Sequence, residues 1–246
     1  MSAEADQSGM ASGAHEHEHA EAGEGLSNRL NWLRAGVLGA NDGIVSTAGV
    51  VMGVAGATTD RSAILVAGVA ALVAGALSMA AGEYVSVSTQ RDAERSLIEA
   101  EKHDLKTMPD EELRQLQIML EDKGMSPQVA EQAARELTDA NALRVHANLE
   151  FGIDIDDVAN PWAAAAASAV AFTIGALLPA LMILLPVDVR IWATALSVAL
   201  ALALTGWISA RVGYARPGRA VLRNVVGGVI AMAITWGVGS LVGTQV

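Results

Sequence analysis

The chain has 246 residues, of which 52% are hydrophobic, and a formal net charge of −11. The acidic balance argues against nucleic acid as a partner, and the absence of cysteine excludes disulfides and thiolate metal sites. The acid is unevenly distributed, because residues 88–160 hold 17 of the 27 carboxylates against 8 basic residues. Long apolar runs occupy residues 35–87 and 161–246. A segment as acidic as residues 88–160 favours the binding of cations.

The first 28 residues predict a disordered acidic tail in which His15, His17 and His19 alternate with glutamate. Histidine-rich tracts often bind metal ions, so these three are possible tail ligands. A disordered tail without a role fits the same composition. The tail has no basic stretch followed by an apolar run, and we therefore predict no removable signal peptide.

Five apolar segments are long enough to cross a membrane, which takes about 20 residues. In the first of them, Gly39 and Gly43 have the small-xxx-small spacing that lets helices approach closely. Gly49 and Gly53 repeat that spacing. The pattern predicts an all-α polytopic membrane protein with spans at 35–57, 63–87, 162–185, 191–210 and 221–242.

The arginines that flank these spans are unevenly placed. Four of them fill the connection at 211–223, whereas Arg61 and Arg190 stand alone in the connections after the first and third spans. The positive-inside rule then places the N-terminus, residues 88–160 and residues 211–223 in the cytoplasm, with the C-terminus outside. We predict a multi-pass protein of the cell (inner or plasma) membrane.

Residues 91–160 predict a small helical domain between the second and third spans. The second span continues to about Lys106, and Thr107 is the predicted cap of a helix that reaches Lys123. Two more helices follow at 127–139 and 141–151. The predicted organisation is a tail (1–28), two spans (29–90), the helical domain (91–160) and three spans (161–246).

Ionisable residues occur inside the first two spans. Asp42 lies in the first, and Met79 and Glu83 share one face of the second. Aspartate in a span costs about 2.5–3.5 kcal/mol on insertion scales, so such residues are candidates for function. Carboxylates with a softer thioether indicate a borderline divalent ion such as Fe²⁺. The alternatives are carboxylates near the interface or paired with Arg34 or Arg91, and a methionine that only packs.

Carboxylates also recur along the predicted helical domain. Glu94 and Glu101 are seven residues apart on the extended second helix, and Asp104 follows three residues later. Carboxylates and a histidine that converge from several helices are typical of di-iron bundles, whereas a solvated acidic face is the alternative. The candidate ligands here are Glu94, Glu101, Asp104, Glu112, Gln115, His146 and Glu150.

Two long motifs resemble the vacuolar iron transporter family. They are LGANDGIVST at 38–47 and GALSMAAGEYVSVSTQRD at 75–92, and Asn160-Pro161-Trp162 is similar as well. The resemblance covers about residues 28–243. It implies five membrane helices, a homodimer and a cytoplasmic helical metal-binding domain. Members of the family exchange Fe²⁺, and often Mn²⁺, for protons and move the metal out of the cytosol.

The resemblance also implies roles for individual residues. Asp42 and Met79 would line a translocation path at the dimer interface, while the metal site of the helical domain would contain Glu101, Asp104, Glu112 and Glu150. Three positions depart from the family pattern. Asp104 and Gln115 stand where glutamate is usual, and His146 falls near a position that some members fill with methionine.

The resulting prediction is a proton-coupled transporter, not an enzyme, that exports Fe²⁺ or Mn²⁺ from the cytosol and serves iron homeostasis. Its partners would be metal ions, the lipid bilayer and a second copy of the chain, without a permanently bound cofactor. The alternative is a membrane-anchored metal sensor or storage scaffold that transports nothing. An intramembrane aspartyl protease needs two membrane aspartates, and only Asp42 qualifies.

Overall fold

A computed structural model describes residues 36–156 and 159–244, and every regular element in these ranges is helical. The all-α prediction is thereby confirmed for the described residues. The tail histidines His15, His17 and His19 lie outside them. The helices are α1 (Gly36–Ala57), α2 (Arg61–Thr107), α3 (Pro109–Asp122), α4 (Pro127–Phe151), α5 (Pro161–Met182), α6 (Val187–Val212) and α7 (Pro217–Gly243).

Five of these helices, α1, α2, α5, α6 and α7, are long and apolar enough to cross a membrane. Local signals fix where they begin. The carboxylate of Asp60 accepts the backbone N–H of Ser62 at the start of α2 (3.0 Å), and proline is the first residue of α5 and α7. The number of spans predicted from the apolar runs is confirmed.

Contacts within the chain define two compact units. The spanning unit contains residues 36–83 and 163–244, and the acidic unit contains Tyr84–Trp162. Helix α2 is 47 residues long and contributes residues to both units.

Helix α1 contacts α5, α6 and α7 in the spanning unit, and it approaches α5 and α7 closely through glycine. A Cβ atom on Gly43 would overlap the backbone oxygen of Phe172 on α5, and one on Gly239 of α7 would overlap the backbone oxygen of Gly53. The close approach predicted from the glycine spacing is confirmed. Around it lies an apolar core from α1, α6 and α7, formed by Ile44, Ala48, Met52, Val198, Leu202 and Met232.

A buried arginine ties two connections of the spanning unit together. Arg190, in the first turn of α6, is 4% exposed, and its guanidinium donates to the backbone oxygen of Thr59 (2.9 Å) between α1 and α2. Val51, Ile64 and Ile183 form an apolar cluster from α1, α2 and the segment that follows α5. The α1–α2 and α5–α6 connections are therefore held against each other.

The acidic unit has a small core in which α3 packs on α4 through Leu116, Leu120, Ala130 and Ala134. Helix α4 is interrupted at Asn141, where φ is −168° and ψ is 86°. The Asn141 side-chain oxygen accepts the backbone N–H of Arg144 (3.1 Å), as a helix cap does. The two helices predicted at 127–139 and 141–151 are thus two segments of one kinked helix.

The predicted cap at Thr107 is wrong. The Thr107 hydroxyl donates to the backbone oxygen of His103 (3.0 Å), one turn earlier in α2. Met108 occupies the cap position of α3 and makes no side-chain cap bond. Threonine bonds backward in this way when its own backbone is still helical.

Candidate metal centre

Three helices of the acidic unit each bring one ionisable side chain to a common point. Glu101 comes from α2, Glu112 from α3 and His146 from α4, and all three are buried. Their ligand atoms lie within 4.8 Å of one another. Glu112 is held there because Leu116, one turn later on α3, is fully buried in the core between α3 and α4.

The distances within this cluster fit a shared cation. The His146 Nδ1 atom lies 3.1 Å from a carboxylate oxygen of Glu101 and 3.5 Å from one of Glu112. Two ligands bound at about 2.1 Å and separated by a right or tetrahedral angle lie about 3.0–3.4 Å apart. Carboxylate and imidazole ligands together suit divalent transition metals.

The same atoms lack ordinary partners among the described residues. Neither short contact has hydrogen-bond geometry, and both ring nitrogens of His146 and one oxygen each of Glu101 and Glu112 are buried without a hydrogen bond. Buried polar atoms almost always have a partner, since an unsatisfied one costs about 1–3 kcal/mol. Two carboxylates and an imidazole that are buried together and unsatisfied therefore have the chemistry of a metal site.

The electrostatics of the cluster also favour an added positive charge. The pKa of Glu101 is raised to about 7, and burial is the largest cause. Charge repulsion from three nearby carboxylates contributes to the same shift: Glu112, Glu150 and Asp104. Burial likewise raises the pKa of Glu112 and lowers that of His146. A divalent cation would relieve the repulsion and favour the ionised carboxylates.

The other predicted residues of this domain stand outside the three-residue cluster. Asp104 and Glu150 are near enough to act on Glu101 by charge. Glu94 lies two helical turns before Glu101, and its carboxylate accepts a hydrogen bond from the amide of Gln90 (2.8 Å). Gln115 is half-buried and lies three residues after Glu112 on α3. Metal ligation by any of these residues stays a prediction.

In the spanning unit, Asp42 lies on an exposed face of α1. Leu38, Ser46 and Val50 are exposed on the same face, at intervals of four residues. Ser46 donates to the backbone oxygen of Asp42 (2.6 Å) and not to its side chain. Among the described residues, none makes a hydrogen bond or ion pair with the Asp42 carboxylate.

Met79 and Glu83 lie one turn apart on α2 and are both half-buried. The described part of the chain offers Glu83 no ion pair. Arg91 is one of the two arginines considered as a partner, and its guanidinium instead lies 3.7 Å from a carboxylate oxygen of Asp92. The other, Arg34, lies outside the described residues. A role for Asp42, Met79 and Glu83 in translocation stays a prediction.

A polar contact beside Asp42 was not predicted. The Thr205 hydroxyl of α6 is 3.3 Å from the side-chain oxygen of Asn41 and fixes α1 against α6 at this level. Asn41 belongs to the 38–47 motif, and an amide inside a span is a signal that it has a partner. Its partner is 164 residues away, so spacing could not reveal it.

Comparison with known proteins decides the family. Residues 33–240 match the VIT family. The chain belongs to the VIT family. A vacuolar iron transporter of Acanthamoeba castellanii is 41% identical over 214 residues, which are 85% of this chain and 78% of that protein. The vacuolar iron transporter homolog 1 of Arabidopsis thaliana is 36% identical over 221 residues, 89% of this chain and 87% of that protein.

A third relative of this VIT family chain is the vacuolar iron transporter homolog 1 of Oryza sativa subsp. japonica, 38% identical over 217 residues. Those residues are 87% of this chain and 75% of that protein. The resemblance to the vacuolar iron transporter family is thus confirmed. The names of these relatives describe iron transporters, in agreement with the metal transport predicted from the sequence.

The predicted location in the cell (inner or plasma) membrane is wrong for this VIT family chain, because the relatives it matches are named as vacuolar transporters. The error has a physical reason. Arginine bias reports which side of a membrane a loop occupies, and span length reports only the hydrocarbon thickness, which differs between membranes by a few Å. Neither quantity identifies the organelle.

Proposed function

We propose that this chain moves Fe²⁺, and also Mn²⁺, out of the cytosol across its membrane in exchange for protons. The family and the names of the relatives support iron as the cargo. The observation that carries the proposal is the carboxylate of Asp42, exposed on a helix that is apolar enough to span a membrane.

An exposed aspartate in a span needs a polar environment. Leu38 and Val50, on the same face as Asp42, are 60% and 40% exposed. Facing lipid, the ionised carboxylate would be disfavoured by about 2.5–3.5 kcal/mol. A second copy of the chain packed on this face would remove the carboxylate from lipid and bring two Asp42 side chains to one axis. We therefore propose a homodimer with the ion path along this face.

The ligands along α2 match such a cargo. Glu83 supplies a carboxylate, and Met79, one turn away on the same face, supplies a thioether. Oxygen ligands alone suit Mg²⁺, Ca²⁺ and Mn²⁺, whereas a thioether shifts the preference toward softer ions. Asp42, Met79 and Glu83 would hold the ion within the span.

The acidic unit would face the cytosol and collect the ion there, as the arginine bias supports. Its ligands would be Glu101, Glu112 and His146, with Asp104 and Glu150 adding negative charge. Metal and protons compete for the same carboxylates. Binding of one therefore favours release of the other, which can couple their opposed movements.

Transport by the full-length protein tests the proposal. Sealed liposomes that contain the protein and an internal Fe²⁺-sensitive dye are exposed to external Fe²⁺ under reducing conditions. We expect protein-dependent influx that is faster when the interior is more acidic, since protons then leave in exchange. Metal binding without influx, under any pH gradient, would contradict transport and favour the scaffold.

The homodimer can be tested by cross-linking, because the chain has no cysteine of its own. Ser46→Cys places a single thiol on the Asp42 face, and we expect a covalent dimer after oxidation in the membrane. Leu200→Cys is the matched control, at a similar depth on α6 and 63% exposed. Dimers from Leu200→Cys but not from Ser46→Cys would place the interface elsewhere.

A further inference from the structure

The connection between α6 and α7 carries an arginine cluster that the proposed transport does not use. The chain contains no acidic residue after Asp188, and four arginines lie within this connection and its flanking turns. All four are exposed, and none forms an ion pair with a carboxylate of the described residues. The arginine cluster consists of Arg211, Arg216, Arg219 and Arg223.

We propose that the arginine cluster binds the phosphate groups of anionic phospholipids. One guanidinium group can donate two parallel hydrogen bonds to two oxygens of a phosphate, a bidentate geometry that the lysine ammonium does not match. Clusters of four or more arginines beside a span are typical of anionic-lipid binding. The inference does not depend on the ion that the protein transports.

Helix length places the arginine cluster at the level of lipid headgroups. Arg190 and Arg211 mark the two ends of α6 and are 21 residues apart, about 31 Å at 1.5 Å per residue. On α7, Arg223 and Gly243 are 20 residues apart, or about 30 Å. Both lengths match the hydrocarbon core of a bilayer, about 30 Å thick. Arg211 and Arg223 therefore lie where that core meets the headgroups.

The exposed face of α7 directs two of these arginines toward lipid. Arg219 and Arg223 are four residues apart and share a helical face. The same face continues into the span with Val226 and Ile230, which are 44% and 52% exposed. Arginines above an apolar face extend their charged ends to the phosphate level while their stems cover the apolar surface.

Contacts at this end of the spanning unit hold the cluster together. The guanidinium of Arg211 lies 5.2 Å from the ring centre of Trp207, in a cation–π contact. Trp207 is 45% exposed, as expected of a tryptophan at a membrane interface. A Cβ atom on Gly206 would come within 3.0 Å of Val221, so α6 and α7 nearly touch there. Arginines from both helices can therefore reach one patch of headgroups.

The test measures binding of fluorescent phosphatidylglycerol and phosphatidylcholine to the purified full-length protein in detergent. We expect the unmodified chain to prefer phosphatidylglycerol, and the Arg219→Gln/Arg223→Gln pair to weaken that binding by about fivefold for each arginine. The control pair Arg61→Gln/Arg135→Gln removes the same charge from exposed positions outside the cluster. It should leave binding unchanged.

Several outcomes would overturn the proposal: no preference in the unmodified chain, equal losses in both pairs, or a preference unaffected by salt, which should screen it. Binding at increasing salt concentration is measured on the unmodified chain. This result therefore stays valid even if the Arg219→Gln/Arg223→Gln variant fails to fold. Displacement of the lipid by inorganic phosphate at similar concentrations would show a site for free anions and would also contradict lipid binding.

Discussion

Asp42→Asn is expected to reduce Fe²⁺ influx into proteoliposomes by at least about tenfold, since even groups that only support metal ligands change affinity by about 10–100-fold when mutated. Asparagine keeps the size of the side chain and removes its charge. A divalent cation inside a span then loses one of the few negative charges available to it. The measurement is the initial rate of the internal dye signal at matched protein content.

Asp60→Asn is the matched control for this variant. The substitution is chemically the same, but Asp60 lies in the connection between α1 and α2, outside the apolar span. Its carboxylate there caps α2. Its loss should change the melting temperature slightly and influx little. Normal influx in Asp42→Asn would remove Asp42 from the path.

Glu101→Gln is expected to weaken metal binding to the acidic unit by about 10–100-fold, because it removes one of three converging ligands. Equilibrium binding of Mn²⁺ or Fe²⁺ to the full-length protein measures it. Asp42→Asn in the background keeps the spanning unit from contributing. Glu99→Gln is the control, since Glu99 is exposed on the same helix and pairs with Lys102 (2.6 Å). Equal binding by both variants would exclude Glu101 as a ligand.

The pH dependence of binding gives the same residue a second readout. The pKa of Glu101 is raised to about 7, so metal must displace a proton from it below that pH. For one proton, the Kd should rise about tenfold from about pH 8 to about pH 6. Burial lowers the pKa of His146, which favours the neutral ring that can bind a metal ion. Glu101→Gln should flatten the dependence.

Without metal, the stability of the fold changes with pH in the opposite direction to metal affinity. Affinity rises with pH, whereas the contribution of Glu101 to the free energy of unfolding falls. Glu101 has an ordinary pKa of 4.5 and a folded value of about 7, so the folded chain holds a proton that the unfolded chain releases between these values. The contribution to the free energy of unfolding is fully present below about pH 4.5 and is lost as the pH rises through about 7. Metal binding to Glu101 would compensate for that loss at neutral pH.

Much of the fold could be predicted from the sequence because lipid imposes a simple rule. A helix must present about 20 apolar residues to cross the bilayer, and five segments do so. The break in α4 was also predictable, since Asn141 can cap the segment that follows it. The cap at Thr107 was not, because a threonine can bond backward or forward and only the path of the backbone decides which.

The candidate site was only partly predictable for a different reason. Spacing places Glu101 and Glu94 on one face of α2, yet Glu94 contacts Gln90 whereas Glu101 meets Glu112 and His146. Which carboxylates converge depends on how α2, α3 and α4 cross, and side-chain packing in three dimensions sets that angle. The spacing of residues along one helix carries no information on this crossing angle.

The bond from Arg190 to Thr59 has a mechanical consequence for transport. The Arg190 guanidinium is buried at one end of the helix bundle, and its hydrogen-bond acceptor among the described residues is the backbone oxygen of Thr59. Separating the two groups would leave a buried charge unsolvated, so the contact resists being broken. The α1–α2 and α5–α6 connections are therefore expected to move together, as one rigid end of the helix bundle, in any rearrangement that accompanies transport.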